Sequence, residues 1–109
     1  MSEFVSVLQS DALADGAGER VQVEDKDIAL FRIGDKFYAI DNECPHSGGP
    51  LAYGFLDGET VMCPWHCWQF DLKNGECLTI AGFDVQCYPV RVENGTVQIN
   101  PEQLNPRAE

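Results

Sequence analysis

The sequence predicts an all-β domain of short antiparallel strands, arranged as a sandwich or a partly closed barrel. Three observations support this prediction. Short runs rich in apolar and β-branched residues dominate the chain. Glycine-containing turn signals, among them two Asn-Gly pairs, separate many of these runs. No segment longer than one turn shows the period of an amphipathic helix.

The strands are assigned in chain order from these runs. The first is expected at residues 4–8, and one helical turn follows at 10–14 with Ser10 as its N-cap. Alternation of Val21 and Val23 with polar neighbours indicates the second strand. The remaining predicted strands cover residues 27–33, 36–40, 59–63, 69–72, 76–79, 85–92 and 96–99.

Turn residues join three pairs of these strands. Gly34-Asp35 fits a two-residue hairpin. Asn74-Gly75 and Asn94-Gly95 are stronger signals, because both central residues of a type I′ turn need positive φ. The tail from Asn100 has two prolines and no apolar period, so we expect it to fray.

Composition limits the possible partners. The 109 residues are expected to form a single domain, residues 1–109. Seven basic side chains stand against eighteen acidic ones, a net charge of −11. This balance argues against nucleic acid or an anionic membrane as partner. It favours a protein with a basic docking patch, or it serves solubility alone.

The cellular location is expected to be cytoplasmic. The first residues lack a basic stretch followed by an apolar one, as a secretory leader would have. No apolar run approaches the length needed to span a bilayer. In a reducing compartment, five cysteines suggest metal ligation for some and free thiols for the rest.

Both histidines of the chain lie in short loops beside a cysteine and a proline. The loops read Cys44-Pro45-His46 and Cys63-Pro64-Trp65-His66. The pattern is C-x-H, a gap of sixteen residues, then C-x-x-H. Two thiolates and two imidazoles form the donor set of an asymmetric 2Fe–2S centre, with two cysteines on one iron and two histidines on the other. Such a centre transfers electrons and does not catalyse the formation of covalent bonds.

Three other interpretations compete with this centre. A mononuclear zinc site would use the same donors, although zinc sites usually open with two cysteines. The four residues could instead be buried polar side chains without a metal. A thiol–disulfide site is the third, although the chain has no C-x-x-C pair.

The neighbours of the four candidate ligands suit such a site. Pro45 and Pro64 fix φ and stiffen the loops. Glycines 48, 49 and 54 would let the backbone pass close to the inorganic core.

The other cysteines and the two tryptophans are not among the four candidate ligands. Cys77 and Cys87 are predicted to be small apolar core residues. Cys67 follows a candidate ligand directly, so it either modulates the cluster or is inert. Trp65 and Trp68 either shield the cluster and shape a docking surface or pack the loop.

These motifs resemble the Rieske family of 2Fe–2S proteins, and in particular its soluble, low-potential ferredoxins. The resemblance also includes residues 47–51 and the run from 68 to 71. It implies one Rieske cluster, with Cys44 and Cys63 on one iron and His46 and His66 on the outer, more exposed iron. It further implies antiparallel sheets with a small inserted cluster-binding subdomain, residues 41–72.

The sequence departs from the Rieske proteins of cytochrome bc complexes. Those proteins have a disulfide at the positions of Gly49 and Trp65, and hydroxyl side chains at those of Trp68 and Phe70. Fewer hydrogen bonds to sulfur stabilise the added electron less, so we predict a potential toward the low end of roughly −150 to +300 mV. Cys67 occupies a position where relatives usually have glycine.

The resemblance implies an electron-transfer protein that is not an enzyme by itself. As a ferredoxin, a monomer when free, it would pass single electrons from a flavin reductase to a terminal oxygenase. As the small subunit of an assimilatory NAD(P)H nitrite reductase, it would bind the large subunit. A structural zinc-binding module is an alternative of another class. The large oxygenase subunits themselves are excluded, because they need further histidines for a second iron.

Overall fold

The computed structural model describes residues 4–45, 48–65 and 68–101. Two 3₁₀ helices, Ser10–Ala12 and Leu51–Tyr53, accompany the strands of these ranges. The strands are β1 Val5–Gln9, β2 Gly18–Val23, β3 Lys26–Ile33, β4 Lys36–Asp41, β5 Phe55–Asp57, β6 Thr60–Met62, β7 Gln69–Asp71, β8 Cys87–Tyr88, β9 Val90–Glu93 and β10 Thr96–Ile99. In the described ranges, no helix is both long enough and apolar enough to cross a membrane.

The strands form three antiparallel sheets. Their orders are β1-β10-β9, β2-β3-β4-β8 and β5-β6-β7. Every strand pair is antiparallel. The predicted all-β class is therefore confirmed, and the third sheet falls within residues 41–72.

Strand β3 explains how the core is divided into two parts. Its successive side chains point to opposite faces of the sheet. Ile28 and Leu30 belong to a buried cluster shared with the β1-β10-β9 sheet. Ala29 and Phe31 belong to a second buried cluster, which includes residues of the β5-β6-β7 sheet. Because both faces are covered, this strand reads as a continuous apolar run rather than an alternating one.

Two predicted hairpin turns are confirmed. Ile33 pairs with Lys36 across a two-residue turn, and Gly34 has a φ of 62°. At the β9–β10 turn both central residues have positive φ, 55° at Asn94 and 76° at Gly95. This is the backbone conformation that a type I′ turn needs.

The predicted cap at Ser10 is wrong. Strand β1 extends to Gln9, which is the N-cap residue and makes no side-chain capping bond. Ser10 lies inside the 3₁₀ helix, and its backbone N–H donates to the Gly95 carbonyl at 2.8 Å. The adjacent hairpin turn thus holds the start of this helix.

The single strand predicted over residues 85–92 is also wrong. Cys87–Tyr88 pairs with β4, whereas Val90–Glu93 pairs with β10 in another sheet. Pro89 separates the two strands. Because proline has no backbone N–H, it interrupts a ladder, and here the chain changes sheets at that residue.

The strand predicted at 76–79 does not form, although Phe70 and Cys77 make an isolated bridge. Gly75 has a φ of 79°, but Asn74 does not have the positive φ of a type I′ turn. The Cys77 N–H donates to the Asp84 carboxylate at 2.8 Å. The Val85 N–H donates to the Gly75 carbonyl at 2.8 Å. Residues 75–77 are therefore bound to residues 84–85 as well as to β7, and pairing with β7 is limited to this one bridge.

The sequence interpretation missed β5 and the second 3₁₀ helix. The Asp57-Gly58 pair was a usable hairpin signal, since Gly58 has a φ of 61° and Asp57 pairs with Thr60. The expected fraying from Asn100 is wrong at its first two residues, since Asn100 and Pro101 are both buried. Asn100 is 1% exposed and donates its N–H to the Pro89 carbonyl at 3.1 Å. The rest of that tail, residues 102–109, lies outside the described residues.

Candidate metal centre

Two loops that carry the candidate cysteines are closed in the same way. In loop 1, residues 44–49, the Cys44 N–H donates to the Gly49 carbonyl at 3.0 Å. In loop 2, residues 63–68, the Cys63 N–H donates to the Trp68 carbonyl at 2.7 Å. Each cysteine therefore bonds the carbonyl five residues ahead. Both loops therefore span the same number of residues between their hydrogen-bonded ends.

Loop 1 is held in place by Asn42, a buried amide that the sequence interpretation did not single out. Its Oδ1 accepts from the Ala52 N–H at 2.8 Å, and its Nδ2 donates to Asp27 Oδ2 at 3.2 Å. Its backbone carbonyl accepts from the Leu51 N–H at 2.7 Å. Both ends of loop 1 are thus tied to β3. A polar residue directly after a strand and two positions before Cys44 was the available signal.

Loop 2 is the connection of a β-hairpin. It joins β6 to β7, and Met62 pairs with Gln69 just outside it. The next pair inward, Val61 and Phe70, is fully buried. Burial of these two apolar side chains stabilises the hairpin against the core and fixes the base of the loop.

Cys44 and Cys63 are brought into one environment. Each is 1% exposed, and both belong to the buried cluster beneath the β5-β6-β7 sheet. A Cβ atom added at Gly49 would lie 2.8 Å from Cys63 Sγ and 3.2 Å from the nearest ring atoms of Trp65. Loop 1 therefore approaches loop 2 with no space for a side chain at position 49.

This geometry fits a 2Fe–2S cluster. Thiolates are the protein ligands that hold such clusters, and one thiol from each loop lies here in the same buried cluster. The gap that only glycine fills allows a close backbone approach at one of them. The predicted ligands His46 and His66, and the neighbouring Cys67, lie outside the described residues, so the four-residue ligand set stays a prediction.

The expectation for the three glycines needs one correction. Gly48 has a φ of 78°, and Gly49 makes the close approach just described. Gly54 lies elsewhere: a Cβ there would be 2.3 Å from the Met62 carbonyl. It is needed for the chain to pass β6 rather than for contact with the loops.

The tryptophans and the proline around the loops differ in exposure. Trp65 is 61% exposed, whereas Trp68 is half-buried. The Trp68 ring packs edge-on against Phe83, with 5.3 Å between ring centroids. Pro45 is exposed and lines a cleft on the loop 1 side. Trp65 is therefore available to a partner, and Trp68 contributes to packing.

Cys77 and Cys87 are buried core residues, as predicted. Each is 4% exposed and belongs to the same cluster as the two candidate ligands. Cys77 Sγ accepts from the Ile80 N–H at 3.5 Å, and the Cys87 thiol donates to the Leu72 carbonyl at 3.8 Å.

A short hydrogen bond connects the large sheet to the small one. The Tyr38 hydroxyl on β4 donates to Glu59 Oε2 at 2.5 Å, in the turn between β5 and β6. Burial, followed by this bond, raises the pKa of Tyr38 to about 12. The same bond, with help from Lys73 at 3.6 Å, lowers the pKa of Glu59. The folded state is therefore stabilised when the Tyr38 phenol is neutral and the Glu59 carboxylate is ionised.

A second tyrosine–carboxylate pair lies near loop 1. The Tyr88 hydroxyl donates to Asp41 Oδ1 at 2.6 Å, and the Gln86 N–H donates to Asp41 Oδ2 at 3.0 Å. Burial and then the bond to Asp41 raise the pKa of Tyr88. Asp41 lies at the end of β4, so this pair fixes the chain just before the candidate ligand loop.

Comparison with known proteins agrees with this site. The family model described as the Rieske-like [2Fe-2S] domain matches residues 3–100. The ferredoxin component of naphthalene 1,2-dioxygenase/salicylate 5-hydroxylase systems from Ralstonia sp. is 37% identical over 93 residues, covering 84% of this chain and 89% of the relative. These matches confirm the predicted cofactor, one 2Fe–2S cluster of the Rieske type, and do not agree with a structural zinc module.

Solved structures match at similar coverage. One is the complex of reduced oxygenase and oxidised ferredoxin in carbazole 1,9a-dioxygenase, with 28% identity, a TM-score of 0.84, and coverage of 92% of this chain and 94% of that chain. Another is a protein named as an NADH-dependent nitrite reductase small subunit from Mycobacterium tuberculosis, with 28% identity and a TM-score of 0.88. It covers 94% of this chain and 98% of that chain.

Proposed function

Because the chain belongs to the family of Rieske-like [2Fe-2S] domains, we propose that it passes single electrons from a flavin-containing reductase to a terminal oxygenase. It is an electron carrier and a component of an oxidoreductase system, and not an enzyme by itself. One observation supports this role. Two buried cysteines lie on two loops that are closed by the same backbone hydrogen bond, and these loops approach each other at Gly49.

Four residues hold the cluster in this proposal. Cys44 and Cys63 bind one iron, and His46 and His66 bind the other. The bound cluster accepts and releases one electron. The chain supplies two loops whose ends are closed by backbone hydrogen bonds, a buried environment for the thiolates and a narrow gap at Gly49.

The oxygenase role is supported by the relatives. The Ralstonia protein is the ferredoxin component of dioxygenase systems, and a ferredoxin similar to this chain forms a complex with its oxygenase. The net charge of −11 favours partners with a basic docking patch. The second candidate is a nitrite reductase small subunit, which the likeness to the Mycobacterium tuberculosis protein supports.

Two further points belong to this proposal. Residues 41–72 form a cluster-binding subdomain within the single domain 1–109, since they contain both loops and the β5-β6-β7 sheet. The protein acts in the cytoplasm, where a reducing environment keeps five cysteines available for iron ligation and packing.

The cofactor test is a potentiometric titration of the purified protein followed by electron paramagnetic resonance. We expect a Rieske signal and a potential near the low end of roughly −150 to +300 mV, since Trp68 and Phe70 offer no hydroxyl to sulfur. The Cys44→Ser variant should lose iron. The matched control is Cys77→Ala, a buried cysteine outside the ligand set, which should retain it. Equal iron content in both variants would contradict the ligand assignment.

The partner test uses the reductase and oxygenase of the naphthalene dioxygenase system. The loaded protein should restore electron flow from NADH through that reductase to that oxygenase, and the Cys44→Ser variant should not. If the loaded protein restores no flow there but binds and supports a nitrite reductase large subunit, the second candidate function is correct and the oxygenase role is not.

A further inference from the structure

The loop formed by residues 77–84, here called the apolar loop, is held against β7. The Cys77 N–H donates to Asp84 Oδ1 at 2.8 Å and closes the loop. The Leu78 N–H donates to the Gln69 carbonyl at 2.8 Å, and the Gln69 N–H donates to Thr79 Oγ1 at 3.0 Å. These bonds on both sides of one β7 residue give the loop a defined position beside loop 2.

The apolar loop exposes large apolar side chains. Leu78, Ile80 and Phe83 are 48%, 43% and 40% exposed. Residues 78–83 contain no charged side chain, in a chain where 23% of residues are charged. Phe83 packs against Trp68, so the exposed surface is continuous with loop 2. A local group of exposed apolar side chains is typical of an interaction site.

An acidic cleft of about 420 Å³ borders loop 1. Of its acidic side chains, Asp27 is paired with Arg20 at 2.6 Å, and Asp41 accepts from Tyr88. Asp25 and Glu43 form no ion pair within the described part of the chain. The lining residues are Asp25, Lys26, Asp27, Asp41, Glu43, Pro45 and Tyr88. Lys26 and the Arg20 partner of Asp27 do not balance four carboxylates, so the cleft is negative.

We propose that the apolar loop and the acidic cleft are two parts of one docking surface for a redox partner protein that presents an apolar patch bordered by basic residues. The inference rests on the proposed function. Loop 1 borders the cleft, loop 2 borders the apolar loop, and the two loops meet where Gly49 contacts the Trp65 ring. A partner that covers both parts therefore also covers loop 1 and loop 2.

The two parts have separate physical roles. Negative charge attracts a basic partner over a distance and raises the association rate, an effect that salt screens. Apolar side chains add short-range contact that salt does not screen, and they determine how long the complex lasts. Variants of the two parts should therefore differ in their salt dependence.

The test measures electron transfer from the reduced protein to cytochrome c, a basic haem protein with an apolar haem edge, and to ferricyanide, a small anion that needs no docking surface. Ile80→Ser and Phe83→Ser should each lower the second-order rate with cytochrome c by about tenfold at all salt concentrations, as for truncation at the centre of an interface. The matched control is Val92→Ser, which removes a side chain 46% exposed on β9 and should leave the rate unchanged.

The acidic variants test the other part. Asp25→Asn and Glu43→Gln should lower the rate at low salt, and their rates should depend less on salt than that of the unaltered protein. Iron content should stay unchanged in every variant, and ferricyanide rates and potential should stay unchanged in the apolar variants. In the acidic variants the ferricyanide rate should not fall, because removal of a carboxylate weakens the repulsion of this anion. Phe83 packs on the Trp68 ring, so agreement between the Ile80 and Phe83 variants would show that the effect does not depend on loss of that ring pair alone.

Several results would overturn the inference. Unaltered cytochrome c rates in both apolar variants would remove the apolar loop from docking. A dimer in sedimentation that becomes a monomer on Phe83→Ser would assign the surface to a second copy of the chain. Binding to neutral lipid vesicles that Ile80→Ser abolishes would assign it to a membrane. Failure of the unaltered protein to reduce even ferricyanide would instead contradict the proposed function.

Discussion

Replacement of Gly49 by alanine tests how closely the two loops must approach. The new Cβ would lie 2.8 Å from Cys63 Sγ, about 1 Å inside ordinary contact distance. Cys63 cannot easily move away, since it is buried and its N–H is bonded to the Trp68 carbonyl. The φ of Gly49 is not positive, so the effect is steric and not due to backbone strain. Overpacking of this kind costs about 1–3 kcal/mol.

We expect the Gly49→Ala protein to contain less iron and sulfide per chain and to have an altered paramagnetic resonance spectrum. Chemical denaturation should show a free energy of unfolding lower by about 1–3 kcal/mol. The control is Gly16→Ala, where a Cβ meets no atom within 4 Å and a φ of 81° imposes strain alone. That variant should lose stability without losing iron. Full iron content and an unchanged spectrum in Gly49→Ala would refute the close approach of the loops.

Three further predictions concern stability. Asn42→Ala leaves a buried backbone N–H without its acceptor and should cost about 1–3 kcal/mol in urea denaturation. Phe70→Ala, at a fully buried site, should cost about 3–5 kcal/mol, whereas Phe55→Ala, at a site 64% exposed, should change stability by less than about 0.5 kcal/mol. Because the pKa of Tyr38 is raised, its contribution to the free energy of unfolding is present below pH 10 and is lost as the pH rises toward about 12. Tyr38→Phe, which lacks the bond to Glu59, should lose less stability over that interval; equal losses would contradict the assignment.

Local chemistry made part of the fold predictable. The Asn94-Gly95 turn follows from the positive φ that both residues tolerate. The same type of signal did not give a type I′ turn at Asn74-Gly75: Asn74 does not have positive φ, and its side-chain Oδ1 accepts from the Glu76 N–H at 2.9 Å. Asparagine commonly makes such local bonds to its own backbone, and they compete with other turn types. Pro89, in contrast, was a visible signal that a single strand would be interrupted.

The candidate site was predictable to a similar extent. Spacing alone placed Cys44 and Cys63 in two matching loops, and both are buried together. Spacing did not predict that Asn42 would connect loop 1 to Asp27, because these partners are fifteen residues apart and meet only in the fold. The contact of Gly49 with the opposite loop likewise depends on the packing of distant segments.

Pairing of β1 with β10 has a consequence for synthesis of the protein. Val5 lies opposite Ile99, so the β1-β10-β9 sheet cannot form until nearly the whole described chain has left the ribosome. Strands β2, β3 and β4, in contrast, form a local meander that needs no later residue. Contacts so far apart in sequence form slowly. The core beneath the β1-β10-β9 sheet is therefore completed only after residue 99 has been synthesised, whereas Cys44 and Cys63 belong to the other buried cluster, whose strands β3 to β7 come earlier in the chain.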